Sequence, residues 1–366
     1  MKRRSFLKKA TMGLAASAGV AAVAAPAPAL ADSMPEIKWR LASSFPKSLD
    51  TIYGASETLA KRVASLTQGK FQIRVFAGGE LVPGLQVLDA VSQGTVQCGH
   101  TASYYYVGKN KAFAFDTALP FGLTARQQSA WYYFGGGLQM MRDLYKEYGL
   151  INFPGGNTGT QMGGWFRKEI KSLADLKGLK MRIPGIGGEI MSKLGVVTQA
   201  LAGADVYPSL EKGTIDAAEW VGPYDDEKLG LYKVARHYYY PGWWEGSANL
   251  SFLINNKEWE KLPQLYKDAF EVAAAEANMI MLAEYDAKNP AALGRLLRNG
   301  AMLHPFPQDM MVAALKAANE IYSQESAKNP AFKKIYESWK RFRNDEFQWF
   351  RVAETSYANF AFNHVK

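Results

Sequence analysis

Arg182 has the type and setting that point most directly to chemistry. It stands in Leu179-Lys180-Met181-Arg182-Ile183-Pro184, at the end of a stretch that reads as a strand and just before a breaker. Ligands of open α/β sheets bind off the carboxyl ends of strands, and a guanidinium there offers two parallel donors matched to a carboxylate. Taken singly, a strand-end arginine is more often half of a surface ion pair. Glu219, before Trp220, and Glu245, after Trp244, add two acids near aromatic segments. Two carboxylates beside an anion-binding arginine would repel an acidic ligand unless a cation intervened. Oxygens from Glu, Gln and backbone carbonyls suit a hard cation such as Na+ or Ca2+. The competing reading leaves one or both acids solvated or paired with lysine.

Tyr104-Tyr105-Tyr106 and Tyr238-Tyr239-Tyr240-Pro241-Gly242-Trp243-Trp244 are the densest aromatic runs. Consecutive aromatics cannot all face one core, so some must line a cleft, an interface or solvent. Aromatic clefts with a few polar groups suit small ligands; packing between lobes is the plainer alternative. Other chemistries lack their residues. The four histidines, His100, His237, His304 and His364, show no paired metal-ligand spacing. There is no Gly-x-Ser-x-Gly elbow and no Walker loop. Gly185-Ile186-Gly187-Gly188-Glu189-Ile190 is half of a dinucleotide fingerprint, with Ile190 where the third glycine belongs. Cys98 is the only cysteine, so an intramolecular disulfide is excluded, and a lone strand cysteine is usually core.

The elements that must position these residues alternate. Ile37, Trp39 and Leu41 alternate with Lys38 and Arg40, a half-buried strand. Asp50 is placed to cap a helix to Leu66; strands follow over 71–75 and 97–102, with a helix over 84–96 between them. This β-α-β-α-β opening predicts parallel pairing. A second α/β unit begins near Asn152, with strands over 163–167, 180–183, 198–200 and 215–220 and helices over 188–194 and 210–212. A helix from Pro263 to about Lys288 is long for a globular protein. Further helices are expected over 307–325 and 330–362, the last rich in aromatics that suggest docking on this chain or on a second subunit.

Lys2-Arg3-Arg4-Ser5-Phe6-Leu7-Lys8, an Ala-rich apolar stretch and Ala29-Leu30-Ala31 read as a secretory signal of the twin-arginine (Tat) type, cleaved after Ala31. Lys2 stands where that pattern usually has Ser or Thr. Five positives of the formal +9 lie in the signal, which has no acids, leaving +4. That mild balance, with no basic run, argues against nucleic-acid binding. No later segment is long and apolar enough to span a membrane.

The export signal, the two α/β units, Asp175-Leu176-Lys177-Gly178-Leu179-Lys180-Met181-Arg182-Ile183-Pro184, Glu211-Lys212-Gly213-Thr214-Ile215-Asp216-Ala217-Ala218-Glu219 and Leu88-Asp89-Ala90-Val91-Ser92-Gln93-Gly94-Thr95-Val96 together resemble the periplasmic receptor subunit of TRAP (tripartite ATP-independent periplasmic) transporters, the DctP family. The resemblance is nearest to α-keto acid-binding receptors of the pyruvate type. It implies an α/β two-lobe periplasmic binding protein fold with a hinge. Lobe I would span 32–155 with 246–262 returning to it, and lobe II 156–245 with 290–328. A connecting helix would span 263–289, and a helical C-terminal tail, 329–366, would join a homodimer.

The resemblance further implies that Arg182 pairs with the ligand carboxylate and that Asn157, Ser103 and Tyr104 contact a keto acid. Gln161, Glu219, the Trp220 carbonyl and Glu245 would hold a Na+ or Ca2+ ion that the ligand completes; Trp220 also faces the ligand. Arg167 matches a further basic position of the family. An acid at 219, where many relatives carry an amide, fits the cation-assisted subgroup. Membrane permease subunits would read the closed form, and no bond is made or broken. Two other classes compete: a Tat-exported cofactor-dependent oxidoreductase, and a receptor for another carboxylate or a sugar.

Overall fold

The computed structural model describes residues 34–365; the signal expected over 1–31 and its cleavage after Ala31 lie outside them. The chain opens with β1 (Ile37–Ser43), α1 (Gly54–Leu66), β2 (Phe71–Phe76), α2 (Val87–Ser92) and β3 (Cys98–Thr101). β1 pairs in parallel with both β2 and β3, as the alternation predicts. Trp39 and Leu41 face the core while Lys38 and Arg40 face water. Next come α3 (Ala114–Thr117), α4 (Ala125–Phe134) and α5 (Gly137–Lys146), none of them among the expected elements, and then β4 (Leu150–Asn157).

The second sheet holds β5 (Trp165–Phe166), β6 (Lys180–Arg182), β7 (Val197–Gln199) and β8 (Ala217–Ala218). α6 (Gly185–Lys193), α7 (Gly203–Glu211) and α8 (Pro223–Leu229) lie between or after them, and β9 (His237–Tyr240) follows. β10 (Asn249–Asn255) returns to the first sheet, antiparallel between β3 and β4 and buried along its length. After α9 (Asn256–Glu260), α10 (Gln264–Arg298) leads to β11 (Met302–Pro305), α11 (Gln308–Lys328), α12 (Pro330–Phe350) and, past a π-helical turn, α13 (Ser356–His364). The strand orders are β2-β1-β3-β10-β4 and β11-β9-β5-β8-β6-β7. The architecture is therefore the expected two-lobe α/β fold.

Several boundaries differ from expectation. Asp50 caps nothing: α1 begins at Gly54. The helix expected over 84–96 is a 3-10 turn followed by the short α2. The helix expected at Leu210 begins at Gly203. The long helix does not stop near Lys288 but runs 35 residues through Pro290 to Arg298. A proline removes one ladder hydrogen bond and crowds the preceding turn. Here tertiary contacts on both sides of it offset that loss. Tyr285 donates to Asp225, Asn289 accepts from the Tyr224 N–H, and Arg295 pairs with Glu227, all on α8.

Chain segments 158–163 and 241–248 connect the two sheets and bond to each other. Thr158 N–H donates to the Ala248 carbonyl at 3.0 Å, Gln161 N–H to Glu245 at 3.2 Å and Gly242 N–H to Gln161 at 2.9 Å. The Tyr240–Pro241 bond is cis.

Candidate ligand and cation site

Sheet register brings Arg182 and Glu219 together. β6 and β8 run in parallel with Arg182 opposite Ala218, so Glu219 emerges beside the guanidinium at the same carboxyl edge. Arg182 is 1% exposed and Glu219 fully buried. Nη1 donates to the Glu219 side chain and to its carbonyl at 2.9 Å, and Nε donates to the Leu201 carbonyl at 3.1 Å. The Trp220 ring lies 4.9 Å from the guanidinium carbon, a cation-π contact. Gly203 makes room for that ring: a Cβ there would lie 2.6 Å from it. Trp220 Nε1 in turn donates to the buried Asp225 at 3.3 Å.

The connecting segments deliver the other groups. Asn157 ends β4, and its side-chain Oδ1 accepts from Gly159 N–H at 2.9 Å. The Gln161 amide donates to Thr158 Oγ1 at 3.0 Å. Glu245 follows the paired tryptophans, is 3% exposed, and lies within hydrogen-bonding reach of Tyr104 and Gln161. Tyr104 closes the first lobe's side against Gly185, whose φ of +66° and 3.2 Å clearance exclude a larger residue without strain. Phe45, Ile52, Ala102, Ala248 and Leu250 complete an apolar wall around the cleft.

The buried polar atoms without partners are complementary in kind. Arg182 Nη2 and Asn157 Nδ2 are donors with nothing to donate to; Gln161 Oε1, Glu219 Oε2 and Glu245 Oε2 are acceptors with nothing to accept from. Leaving such groups bare costs about 1–3 kcal/mol each. Two donors fit a carboxylate and three oxygens fit a hard cation. No cluster of three or more His, Cys, Asp or Glu among the described residues could hold a metal; this set reaches three oxygens only by using an amide. Burial pushes Glu219 up to about 7 against the pull of Arg182. Burial, then the charge of Glu219, pushes Glu245 well above the carboxylate range. One guanidinium does not keep two buried carboxylates ionised, and a cation would.

Arg182, Gln161, Tyr104, Trp220, Glu219 and Glu245 thus converge from distant parts of the sequence, and Asn157 ends the strand that leads to Gln161. Ser103 does not open toward the cleft: its hydroxyl donates to Asp116 at 2.6 Å and lies against the Tyr145 hydroxyl, which bonds the same carboxylate. Arg167 is exposed, and donates at 3.3 Å to the Leu210 carbonyl at the end of α7. Tyr105, given no role of its own, lines the cleft within reach of Arg182. Only its place in the tyrosine run signalled it. The glycines of the half-fingerprint serve packing: Gly187 abuts Trp244 and Gly188 the Ile183 carbonyl.

The model of the bacterial extracellular solute-binding proteins, family 7 (DctP), matches residues 42–329. The chain belongs to this family. A monocarboxylate 2-oxoacid-binding periplasmic protein of Nostoc sp. is 55% identical over 361 residues, 99% of each chain. A TRAP transporter solute binding protein of Bordetella bronchiseptica is 58% identical, with a TM-score of 0.89 over 90% of this chain and 98% of that one. It forms a mixed-occupancy dimer with copurified calcium and picolinate in one active site. A Pseudoalteromonas atlantica TRAP periplasmic solute binding protein with bound sodium and pyruvate is 39% identical, with a TM-score of 0.86 over 88% and 99%. This DctP chain is accordingly an extracytoplasmic solute receptor of a TRAP transporter and not an enzyme.

Proposed function

We propose that this receptor binds a 2-oxo monocarboxylate, pyruvate or a close relative, together with Na+ or Ca2+, and presents it to membrane permease subunits. The observation that carries the reading is the matched set of unpartnered buried atoms, two donors and three acceptors, in the cleft and on the segments that border it. Arg182 and Asn157 take the carboxylate, with Tyr104 and Tyr105 closing over it. Gln161, Glu219, Glu245 and the Trp220 carbonyl hold the cation. A 2-oxo acid suits both halves because its keto oxygen and one carboxylate oxygen chelate a cation in a five-membered ring. Picolinate, held with calcium in the Bordetella relative, has the same geometry with a ring nitrogen for the keto oxygen. Ser103 enters through the turn that carries Tyr104. Closure excludes water and strengthens each charge contact.

Export by the 1–31 segment and a homodimer through 329–366 belong to the same reading. The periplasmic name of the Nostoc relative and the dimer of the Bordetella relative support them. So does the tail itself. Phe332 and Trp339 dock on Phe115 of their own chain, whereas Trp349, Tyr357, Phe360 and Phe362 are exposed. Calorimetry with pyruvate, before and after removal of cations by chelation, tests the ligand reading. Tight binding that needs a cation is expected; binding of a neutral sugar but not of pyruvate would overturn it.

A further inference from the structure

Two ion-pair clusters join the lobes outside the cleft. In the first, Asp50, on the loop between β1 and α1, meets α8 of the second lobe. Lys228 Nζ donates to Asp50 Oδ1, Tyr224 Oη donates to Oδ2 at 3.0 Å, and Lys288 lies 3.7 Å away. The Tyr224 ring is flanked by the Lys228 and Lys288 ammonium groups at 4.6 and 4.5 Å. In the second, Lys111, on the turn before α3, pairs with Glu189 of α6 at 2.7 Å and with Glu325 of α11 at 3.4 Å. Both clusters adjoin cleft walls. Ile52 lies two residues beyond Asp50, α8 begins three residues after Trp220, and α6 begins at the Gly185 that Tyr104 covers.

The two clusters have opposite sense. The first lobe supplies the acid in one and the base in the other, so their long-range attractions partly cancel and their pull is felt only at contact. We propose that Asp50 with Lys228 and Tyr224, and Lys111 with Glu189, form a two-point clasp that exists only when the lobes meet and so sets how long a bound ligand stays. This rests on the reading above, that the ligand is held between the lobes. None of these side chains touches the ligand site. Burial opposes the Lys228 charge, and Asp50 and Tyr224 more than restore it; Asp50 itself is held below its ordinary value by Lys228 and Tyr224 despite burial.

Exposed ion pairs add little to the stability of a fold. Here the whole contribution acts on the balance between open and closed forms. Roughly two- to fivefold in dissociation rate is expected for each point. Stopped-flow tryptophan fluorescence with pyruvate and Ca2+ reads it. Asp50→Asn and Lys111→Gln should each speed dissociation, and together by about tenfold, with association within about twofold. Asp50→Glu, which keeps the charge beside Lys228 and Lys288, should stay close to the wild-type rate. A double variant that releases pyruvate at the wild-type rate, or an Asp50→Glu variant that releases it as fast as Asp50→Asn, overturns the clasp. If the wild-type protein takes up no pyruvate, the ligand reading fails by itself. Small-angle scattering of the ligand-free proteins then decides: a larger radius for the double variant supports the clasp, and equal radii overturn it.

Discussion

Asp116 in the first lobe and the Glu219–Glu245 pair in the cleft are both buried carboxylate sites, set in different kinds of place. In the first lobe Asp116 is fully buried, and every approach to it is taken. Ser103, Tyr145 and Ser251 each donate to Oδ2 at 2.6 Å, while Tyr132 and, at 3.3 Å, Asn152 donate to Oδ1. In the cleft, Glu219 and Glu245 are as deeply buried, yet each keeps an oxygen with no partner. Burial is common to both; completeness is not. A satisfied buried acid ties elements together, whereas an unsatisfied pair beside a half-used guanidinium stores a cost that a ligand and a cation relieve.

Breaking the cleft should give the largest effect. Arg182→Ala is expected to weaken pyruvate binding by more than about 100-fold and to lower stability by about 3–5 kcal/mol, because Glu219 loses its only countercharge. Calorimetry and denaturant melts measure both, and near-normal affinity would place the site elsewhere. Asp116→Asn should do the opposite, costing about 2–4 kcal/mol of stability while affinity stays within about threefold. A parallel loss of affinity would instead make Ser103 a ligand contact and blur the distinction.

Glu245→Gln sharpens the contrast from the other side. Removing one of two repelling buried acids should stabilise the cation-free protein by about 1 kcal/mol and weaken cation-dependent ligand binding by about tenfold. A variant that binds as before in chelated buffer would remove the cation from the site. Just below neutral pH the smallest effect is a pH dependence that arises in the first lobe. Burial between Phe45 and Phe252 pushes His100 down to about 3. The folded form therefore stays neutral while the unfolded chain takes a proton below about 6.5. Stability should fall as pH drops through that window, by at most about 1.4 kcal/mol per pH unit. His100→Gln, which can keep a donor to the Gly155 carbonyl that His100 contacts at 3.0 Å, should flatten that slope in melts between pH 4 and 6.

Much of this was legible without coordinates. Alternation at Ile37–Leu41 and Phe71–Val75, and the breaker after Arg182, locate the strand ends at which ligands bind. The stretch 103–151 was legible only in part: α3 and α4 are short and take their apolar faces from packing, Phe115 against Phe332 and Trp339 of α12 among them, whereas α5 carries a helical period at Leu138, Met141, Leu144 and Tyr145 that the sequence does show. Pro290 misled for a related reason: local propensity says stop, and contacts with α8 say continue. His237 and His304, 67 residues apart in sequence, are brought to 3.0 Å by the pairing of β9 with β11, a proximity no spacing rule foresees.

By itself the sequence determined the inventory: a guanidinium at a strand end, acids beside aromatics, no thiol pair and no nucleophile elbow. Those are properties of residue type and local period, which the chain carries whatever its fold. Only the tertiary structure decided which of these groups lack partners. Ser103 and Arg167 looked as available as Asn157 and Gln161 until packing used the first two and left the others open. Hydrogen-bond satisfaction is a property of the whole surroundings of an atom, and those surroundings are assembled from segments that the sequence keeps far apart.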